Sequence, residues 1–124
     1  MIIGTGIDIV EVKRMEKWLN SSNLLERYFH PEEVKTANSR GKTAALFLAA
    51  RFAAKEAFGK AIGTGLANFT LKDILVINNE NGKPEMKLFG TAAQALENSG
   101  ANKIHISLTH ERENAVAMVI LEGV

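Results

Sequence analysis

An acid and a base stand one helical turn apart in residues 42–62, a stretch whose apolar spacing predicts a long helix. Glu56 and Lys60 share one face of that helix, because side chains at positions i and i+4 are neighbours. Alanines surround this face, so another backbone or a ligand can come close. Such a pair is typical of a solvated surface ion pair worth about 0.3–0.5 kcal/mol, but it also suits the binding of phosphates.

A second carboxylate stands near the N-terminus, in residues 1–10, whose alternation predicts a strand. Gly4, Gly6 and Asp8 fall on one face of this strand, and isoleucines occupy the other face. An unpaired carboxylate is costly to bury, so Asp8 either caps the helix that follows or binds a cation. Together with Glu56 it offers two carboxylates, which suit a magnesium ion that keeps some waters and binds substrate phosphates.

Further polar residues are candidates for binding. His105, Ser107 and Thr109 alternate with apolar residues, which predicts either the wet face of a half-buried sheet or a polar lining for a phosphate or sugar. Lys83 follows an Asn-Gly turn, and the sequence alone indicates that it is a structural residue of a hairpin turn. A basic cluster is either a solvated helix face or a surface for an acidic protein. It consists of Lys13, Arg14, Lys17 and Arg27.

The elements that must position these residues follow one another without a repeat or a linker, which predicts a single α+β domain over residues 1–124. The asparagine-glycine pair between two of the strands is a strong hairpin signal. The predicted strands are 1–10, 71–77, 85–88, 103–109 and 115–121. The predicted helices are 11–20, a short one that begins near residue 31, 42–62 and 91–98, with a turn at 24–29.

Composition excludes several classes of function. Lys and Arg number 15 against 14 acidic residues, so we do not expect a nucleic-acid binder driven by net charge. The lack of cysteine rules out disulfides, thiolate metal sites and cysteine nucleophiles. The apolar runs are too short to span a bilayer, and the first residues lack a secretion signal. We therefore expect a cytoplasmic protein that makes no contact with a membrane.

Three segments resemble the holo-acyl-carrier-protein synthases, the small phosphopantetheinyl transferases. They are residues 6–11, 51–61 and 105–110, and residues 81–84 add support. The resemblance extends over the whole chain and implies a fold in which a long central helix packs on a mostly antiparallel sheet. It also implies transfer of the 4′-phosphopantetheine arm from coenzyme A to a serine of acyl carrier protein. Adenosine 3′,5′-bisphosphate would be released, and the reaction would support fatty acid biosynthesis.

The same resemblance implies a magnesium ion and roles for individual residues. Asp8 and Glu56 would hold the magnesium on the coenzyme A pyrophosphate, and Lys60 would stabilise charge on the phosphates or protonate the leaving group. The serine proton could pass to Glu56 or to a magnesium-bound water, and both bases stay open. His110 is either a contact or the structural end of a strand. The residues expected to line the coenzyme A site are Arg51, Lys55, Gly63, Lys83, Pro84, His105, Ser107 and Thr109.

One departure from the wider family concerns Val10, where the larger relatives carry a third acidic metal ligand. Valine points to the small class, whose members resemble one another in assembling as homotrimers with sites shared between subunits. The resemblance also implies that the acidic acyl carrier protein docks on the first helix, chiefly at Arg14 and Lys17. Two rival classes share some of these residues. One is a non-catalytic module that binds an acidic partner, and the other is a metal-dependent nucleotide or pyrophosphate hydrolase.

Overall fold

Helix α4, formed by the 19 residues Ala44–Ile62, is the element around which the rest of the chain is arranged. The computed structural model describes every residue from Met1 to Val124. The predicted α+β class is confirmed, and all paired strands are antiparallel. The strands are β1 (Ile2–Glu11), β2 (Ile74–Asn78), β3 (Pro84–Leu88), β4 (Ala101–His110) and β5 (Asn114–Gly123). The other helices are α1 (Val12–Trp18), α2 (Ser22–Tyr28), α3 (Pro31–Asn38) and α5 (Gly90–Ser99).

The strands form two sheets. One has three strands in the order β1-β5-β4, and the other is the β2–β3 hairpin. Gly82 has a φ of 80° in the connection between β2 and β3, a value that glycine adopts readily, so the predicted Asn-Gly hairpin is confirmed. In the three-stranded sheet, Asp8 pairs with Ala117 and Ser107 pairs with Met118. Because neighbouring residues point to opposite faces, Asp8 and Ser107 lie on opposite faces of this sheet.

The inner face of the three-stranded sheet packs against α4, which is buried on nearly all sides. A core of 27 buried residues draws on all five helices and on four of the five strands, as expected for a domain with one core. The start of α3 shows how the outer helices are fixed. Pro31 occupies its first turn, and Glu33 accepts a hydrogen bond from the backbone of His30. None of the helices is long and apolar enough to cross a bilayer.

Three details differ from the sequence predictions. Residues 22–28 form α2 rather than a turn, because the Ser21 hydroxyl accepts a hydrogen bond from the Leu24 N–H and so caps a helix. Residues 71–73 form a 3-10 turn, so β2 begins only at Ile74. Asp8 lies within β1, and α1 starts beyond Glu11 without any side-chain cap. The interpretation of Asp8 as a helix-capping acid is therefore wrong.

Candidate active site

The structure brings Asp8, Glu56 and Lys60 together where β1 crosses α4; these three residues are called the first group below. Lys60 Nζ lies 3.0 Å from Asp8 Oδ1 and also donates to the carbonyl oxygen of Ile7 at 3.0 Å. The side chain of Lys60 is 53% exposed and that of Asp8 only 17%, so the carboxylate is turned inward and the ammonium stays accessible. Glu56 is half-buried and interacts electrostatically with both partners.

Burial is the first cause that raises the pKa of Glu56, and the negative charge of Asp8 raises it further. Arg14 and Lys60 act in the opposite direction. Without a bound cation, the Glu56 carboxyl therefore keeps its proton to a higher pH than an exposed glutamate would. Two carboxylates that repel each other in a half-buried place favour a divalent cation between them.

Glu56→Gln should make the cation-free protein more stable at neutral pH. The raised pKa means that the folded state binds more protons than the unfolded chain, so the free energy of unfolding falls as pH rises through this interval. The substitution removes this fall with pH. At neutral pH we therefore expect the free energy of unfolding to increase by at most about 1 kcal/mol, a small value because the side chain is half-exposed. Denaturant unfolding in chelator, from about pH 4 to pH 8, measures the difference. If plots of the free energy of unfolding against pH run parallel for the two proteins over this range, the prediction is wrong.

Glycines in β1 allow Asp8 to lie this close to α4. A Cβ atom at Gly6 would overlap the backbone carbonyl of Ala57, and one at Gly4 would overlap that of Ala61. The small residues noted in the sequence therefore serve the approach of one backbone to another. Any side chain at Gly6 must push β1 away from α4 and take Asp8 with it.

Gly6→Ala should lower both stability and activity. The added methyl group has no space, and overpacking of this kind costs about 1–3 kcal/mol. The shift of β1 also moves Asp8 away from Glu56, so activity should fall more than the loss of folded protein explains. Thermal unfolding and the initial rate of the folded protein measure the two effects. Glu97→Ala, at an exposed position of α5 remote from β1, is the control, and equal stability and activity of the two variants would contradict this prediction.

The basic surface, defined by Lys13, Arg14, Lys17 and Arg27, is exposed on α1 and α2. None of its four side chains forms an ion pair within the chain. The Arg14 guanidinium lies 5.4 Å from the ring centre of Trp18 and 5.1 Å from that of Phe52. Because Arg14 also acts on the pKa of Glu56, the basic surface reaches the edge of the first group.

A cavity of about 550 Å³ lies between the β2–β3 hairpin and β4. Four of the predicted coenzyme A residues line it, namely Lys83, Pro84, His105 and Ser107. Thr109 shares the outer face of β4, opposite Val116, but lies outside the cavity. The side-chain oxygen of Asn79 accepts hydrogen bonds from the N–H groups of Asn81 and Lys83 at 2.8 and 3.0 Å. This fixes the loop that carries Lys83.

The sequence did not point to Glu122 of β5, which lies beside His105. His105 Nε2 is 2.8 Å from Glu122 Oε1, and this hydrogen bond is the main cause that lowers the pKa of Glu122. The two side chains meet because Lys103 pairs with Glu122, and residues two apart on a strand share a face. The register between β4 and β5 decides this contact, and a single sequence does not display that register.

Arg51 lines a second cavity of about 420 Å³. Its guanidinium carbon lies 4.1 Å from the ring centre of Phe47, and Arg40, which the sequence did not single out, contacts the same ring at 4.7 Å. Arg51 Nη2 donates to Asn78 Oδ1 at 3.4 Å, whereas Nε is buried without a partner. Burial lowers the pKa of Arg51, and an unsatisfied guanidinium N–H favours an anionic ligand. Pro84 and His110 also line this cavity.

Lys55 lies in neither cavity. Its side chain is 0% exposed, and its Nζ contacts Glu33 Oε1 at 2.5 Å and three backbone carbonyl oxygens. An ammonium has three N–H donors, so none remains for a phosphate, and the structure contradicts the prediction that Lys55 lines the coenzyme A site.

Gly63 has a structural role of its own. It ends α4 with a φ of 95° and donates to the carbonyls of Gly59 and Lys60.

The residues that line the hairpin cavity and the Arg51 cavity are called the second group below, and those of them on the outer face of β4 point away from the first group. Asp8 belongs to the edge strand β1 and faces α4, whereas His105 and Ser107 belong to the opposite edge strand β4 and face outward. No set of three or more His, Asp or Glu side chains is placed to hold a metal ion. One chain therefore presents two separate groups of polar residues, and the strand residues of these groups face in different directions.

Known proteins resemble the chain over nearly its whole length. The family model described as the 4′-phosphopantetheinyl transferase superfamily matches residues 4–119. A holo-[acyl-carrier-protein] synthase of Treponema denticola is 60% identical over 123 residues, which cover 99% of this chain and 100% of that protein. The crystal structure of holo-[acyl-carrier-protein] synthase from Neisseria meningitidis is 34% identical with a TM-score of 0.89, and covers 98% of this chain and 99% of its own.

A second solved structure is that of a holo-(acyl-carrier-protein) synthase from Bacillus anthracis in complex with coenzyme A (3′,5′-ADP). It is 38% identical with a TM-score of 0.83, and the match covers 100% of this chain and 99% of that one. The residues that the family model matches include Asp8, Glu56 and Lys60, and all residues of both cavities except Ile120. The family indicated by the sequence motifs is thus confirmed, and the chain belongs to the 4′-phosphopantetheinyl transferase superfamily.

Proposed function

We propose that this protein transfers the 4′-phosphopantetheine arm of coenzyme A to a serine hydroxyl of an acyl carrier protein and releases adenosine 3′,5′-bisphosphate. The observation that carries the proposal is the meeting of Asp8, Glu56 and Lys60 on α4 and β1. Relatives at 60% and 52% identity are named holo-[acyl-carrier-protein] synthases, which supports it. In this proposal the reaction takes place in the cytoplasm and supplies fatty acid biosynthesis, as the family resemblance implies.

A magnesium ion fits the donors at Asp8 and Glu56. Magnesium is commonly bound through one or two carboxylates and completes its shell with waters and substrate phosphates, so the lack of a third protein ligand suits it. The mutual repulsion that raises the pKa of Glu56 also favours a cation between the two groups. When bound, the ion would draw charge from the pyrophosphate oxygens of coenzyme A and orient them for displacement.

The residues of the chain itself would handle charge and protons. The serine oxygen forms a new bond to phosphorus while the bond from phosphorus to the bridging pyrophosphate oxygen breaks. Lys60, whose ammonium is accessible at the edge of the ion pair, stabilises the charge that develops on the leaving bisphosphate. Glu56, one helical turn from Lys60 on α4, and a magnesium-bound water beside it are the two groups that we propose as acceptors of the serine proton.

The second group is proposed as the site for the adenosine bisphosphate part of coenzyme A. Lys83 and His105 place basic groups at the hairpin cavity, and Ser107 adds a hydroxyl. Arg51 lines the adjoining cavity, and its guanidinium places a positive charge there for a phosphate. The complex of the Bacillus anthracis relative with coenzyme A (3′,5′-ADP) supports this choice of ligand. Thr109 keeps a proposed place at the rim of the site.

We further propose a homotrimer with each active site shared between neighbouring subunits. Ile7 and Ile9 are 61% and 62% exposed on the outer face of β1, and Met118 of β5 lies between them and the second group. Contiguous apolar side chains on a sheet face favour coverage by another protein surface. A copy that covers this face would bring the second group of one subunit towards the first group of its neighbour. That arrangement explains why one chain carries the first group and the second group on opposite faces of its sheet.

The basic surface is the proposed docking site for the acyl carrier protein. It is exposed and has no ion-pair partner within the chain, so an acidic protein can occupy it. Arg14 links it to Glu56, which places a docked carrier beside the first group. A non-catalytic module that binds an acidic partner would use this surface alone and would make no demand on Asp8 or Glu56.

Chromatography of the small-molecule products tests the proposed reaction against its two rivals. Adenosine 3′,5′-bisphosphate should appear only when the protein, coenzyme A, apo acyl carrier protein and magnesium are all present. Bisphosphate release without a carrier protein would contradict the proposal and favour a hydrolase. Binding of the carrier without any release would likewise contradict it and favour the binding module.

A further inference from the structure

Lys55 and Glu33 form a buried ion pair that the proposed reaction does not use. Their side chains are 0% and 1% exposed, and Nζ lies 2.5 Å from Oε1. Lys55 precedes Glu56 directly on α4, although its side chain points away from the first group and into the body of the protein. Two charges removed from water at such a position require a complete set of partners.

The partners of Lys55 come from segments far apart in the sequence. Its Nζ donates to the carbonyl oxygen of Tyr28, the last residue of α2, at 3.1 Å. It also reaches the carbonyl oxygens of Leu71 at 3.1 Å and Ile74 at 2.9 Å, where the chain enters β2. One ammonium on α4 therefore holds the end of α2 and the start of β2.

Glu33 completes the same connection from the other side. Its Oε1 accepts a hydrogen bond from the His30 N–H at 2.9 Å, and its Oε2 accepts one from the Val76 N–H at 3.0 Å. The carboxylate thus ties the start of α3 to the middle of β2. Apart from Lys55 itself, every partner of the pair lies in α2, α3, β2 or the short connections beside them, and none lies in the three-stranded sheet.

The anchored segments are those assigned to the two substrates. Tyr28 stacks on Trp18 with ring centres 5.1 Å apart, and Arg14 lies over Trp18, so the end of α2 supports the basic surface. β2 leads into the hairpin that carries Lys83 at the coenzyme A cavity. The first group, by contrast, is held by β1 and α4 alone.

We propose that Lys55 and Glu33 are a positioning pair that fixes two segments on α4, namely helix α2 of the carrier-docking surface and the β2–β3 hairpin of the coenzyme A cavity. This inference rests on the proposed function, because it assigns the anchored segments to the two substrates. The pair acts through the segments it holds and touches neither substrate. Loss of the pair should therefore weaken the binding of both substrates and leave the chemistry at Asp8, Glu56 and Lys60 largely intact.

The test compares the wild-type protein with Glu33→Gln, assayed at a temperature at which circular dichroism shows both fully folded. Glutamine keeps the size of Glu33 but removes its charge and one of its two acceptor oxygens. We expect KM for the carrier and KM for coenzyme A to rise about tenfold each, with kcat changed by no more than about twofold. Lys72→Met, an exposed lysine beside Leu71, is the control and should leave all three values unchanged.

A folded Glu33→Gln protein with both KM values at the wild-type level would overturn the proposal, as would a loss confined to kcat. Lys55→Met leaves Glu33 buried without a partner and can fail to fold, so the double variant Glu33→Gln/Lys55→Met provides the second comparison. Hydrogen exchange separates this inference from the proposed function, because it needs no activity. Faster exchange confined to α2, α3 and the β2–β3 hairpin supports the positioning role, and a uniform increase that includes β1 and α4 overturns it.

Discussion

Glu56→Gln reduces the transfer of phosphopantetheine by about a thousandfold or more and leaves the protein folded, because the change removes a proposed metal ligand and a proposed base together. Glutamine has the same shape, and the half-buried position of Glu56 tolerates the loss of charge. The measurement is the initial rate of holo-carrier formation at saturating magnesium and coenzyme A.

Two comparisons make this result specific. Glu97→Gln removes an exposed carboxylate of α5, remote from both groups, and should have wild-type activity. Asp8→Ala should remain folded yet lose the magnesium-dependent part of coenzyme A binding, measured by calorimetry with and without chelator. A Glu56→Gln protein that retains a tenth or more of wild-type turnover would remove Glu56 from the centre of the mechanism, whatever its effect on stability.

Two inactive variants should recover activity when their subunits are mixed. Asp8→Asn disables the first group, and Lys83→Ala/His105→Ala disables the second group on the other face of the sheet. If each site combines the first group of one subunit with the second group of its neighbour, random mixing of equal amounts leaves about one half times one half, or a quarter, of the sites intact. Co-expression with two different tags, followed by tandem purification and the transfer assay, measures this recovery.

The matched control mixes Asp8→Asn with Glu56→Gln, which disable the same group and should show no recovery. If the mixture of Asp8→Asn with Lys83→Ala/His105→Ala is no more active than the mean of the two variants alone, active sites are not shared between subunits. The mass of the purified assembly, measured by light scattering, provides the second check, since a monomer under assay conditions would contradict the trimer directly.

The face on which each member of the first group lies could be predicted from the sequence, because it depends on local periodicity. Alternation along β1 puts Asp8 on the same face as Gly6, and helical spacing puts Lys60 beside Glu56. Small residues on both elements, Gly6 and Ala57 among them, indicated that the two backbones come close, and the structure shows that they do. Short-range patterns of this kind carry over directly into geometry.

The buried ion pair illustrates what the sequence could not supply. Lys55 was expected to line the coenzyme A site, but its partners Glu33, Tyr28 and Ile74 come from separate parts of the chain. Without those contacts, a lysine next to Glu56 looked like a phosphate ligand. Likewise, the contact between His105 and Glu122 depends on strand register. All of these contacts depend on packing between residues that are distant in sequence, and the periodicity of the sequence contains no information about that packing.

The intact mass of an apo acyl carrier protein, after incubation with this protein, coenzyme A and magnesium, is the decisive test of the transferase assignment. We expect a gain of about 340 Da, one phosphopantetheine unit, that is lost when a chelator replaces magnesium and when Glu56→Gln replaces the wild-type protein. An unchanged carrier mass with the folded wild-type protein, across several acyl carrier proteins, would contradict the assignment of this chain as a phosphopantetheinyl transferase.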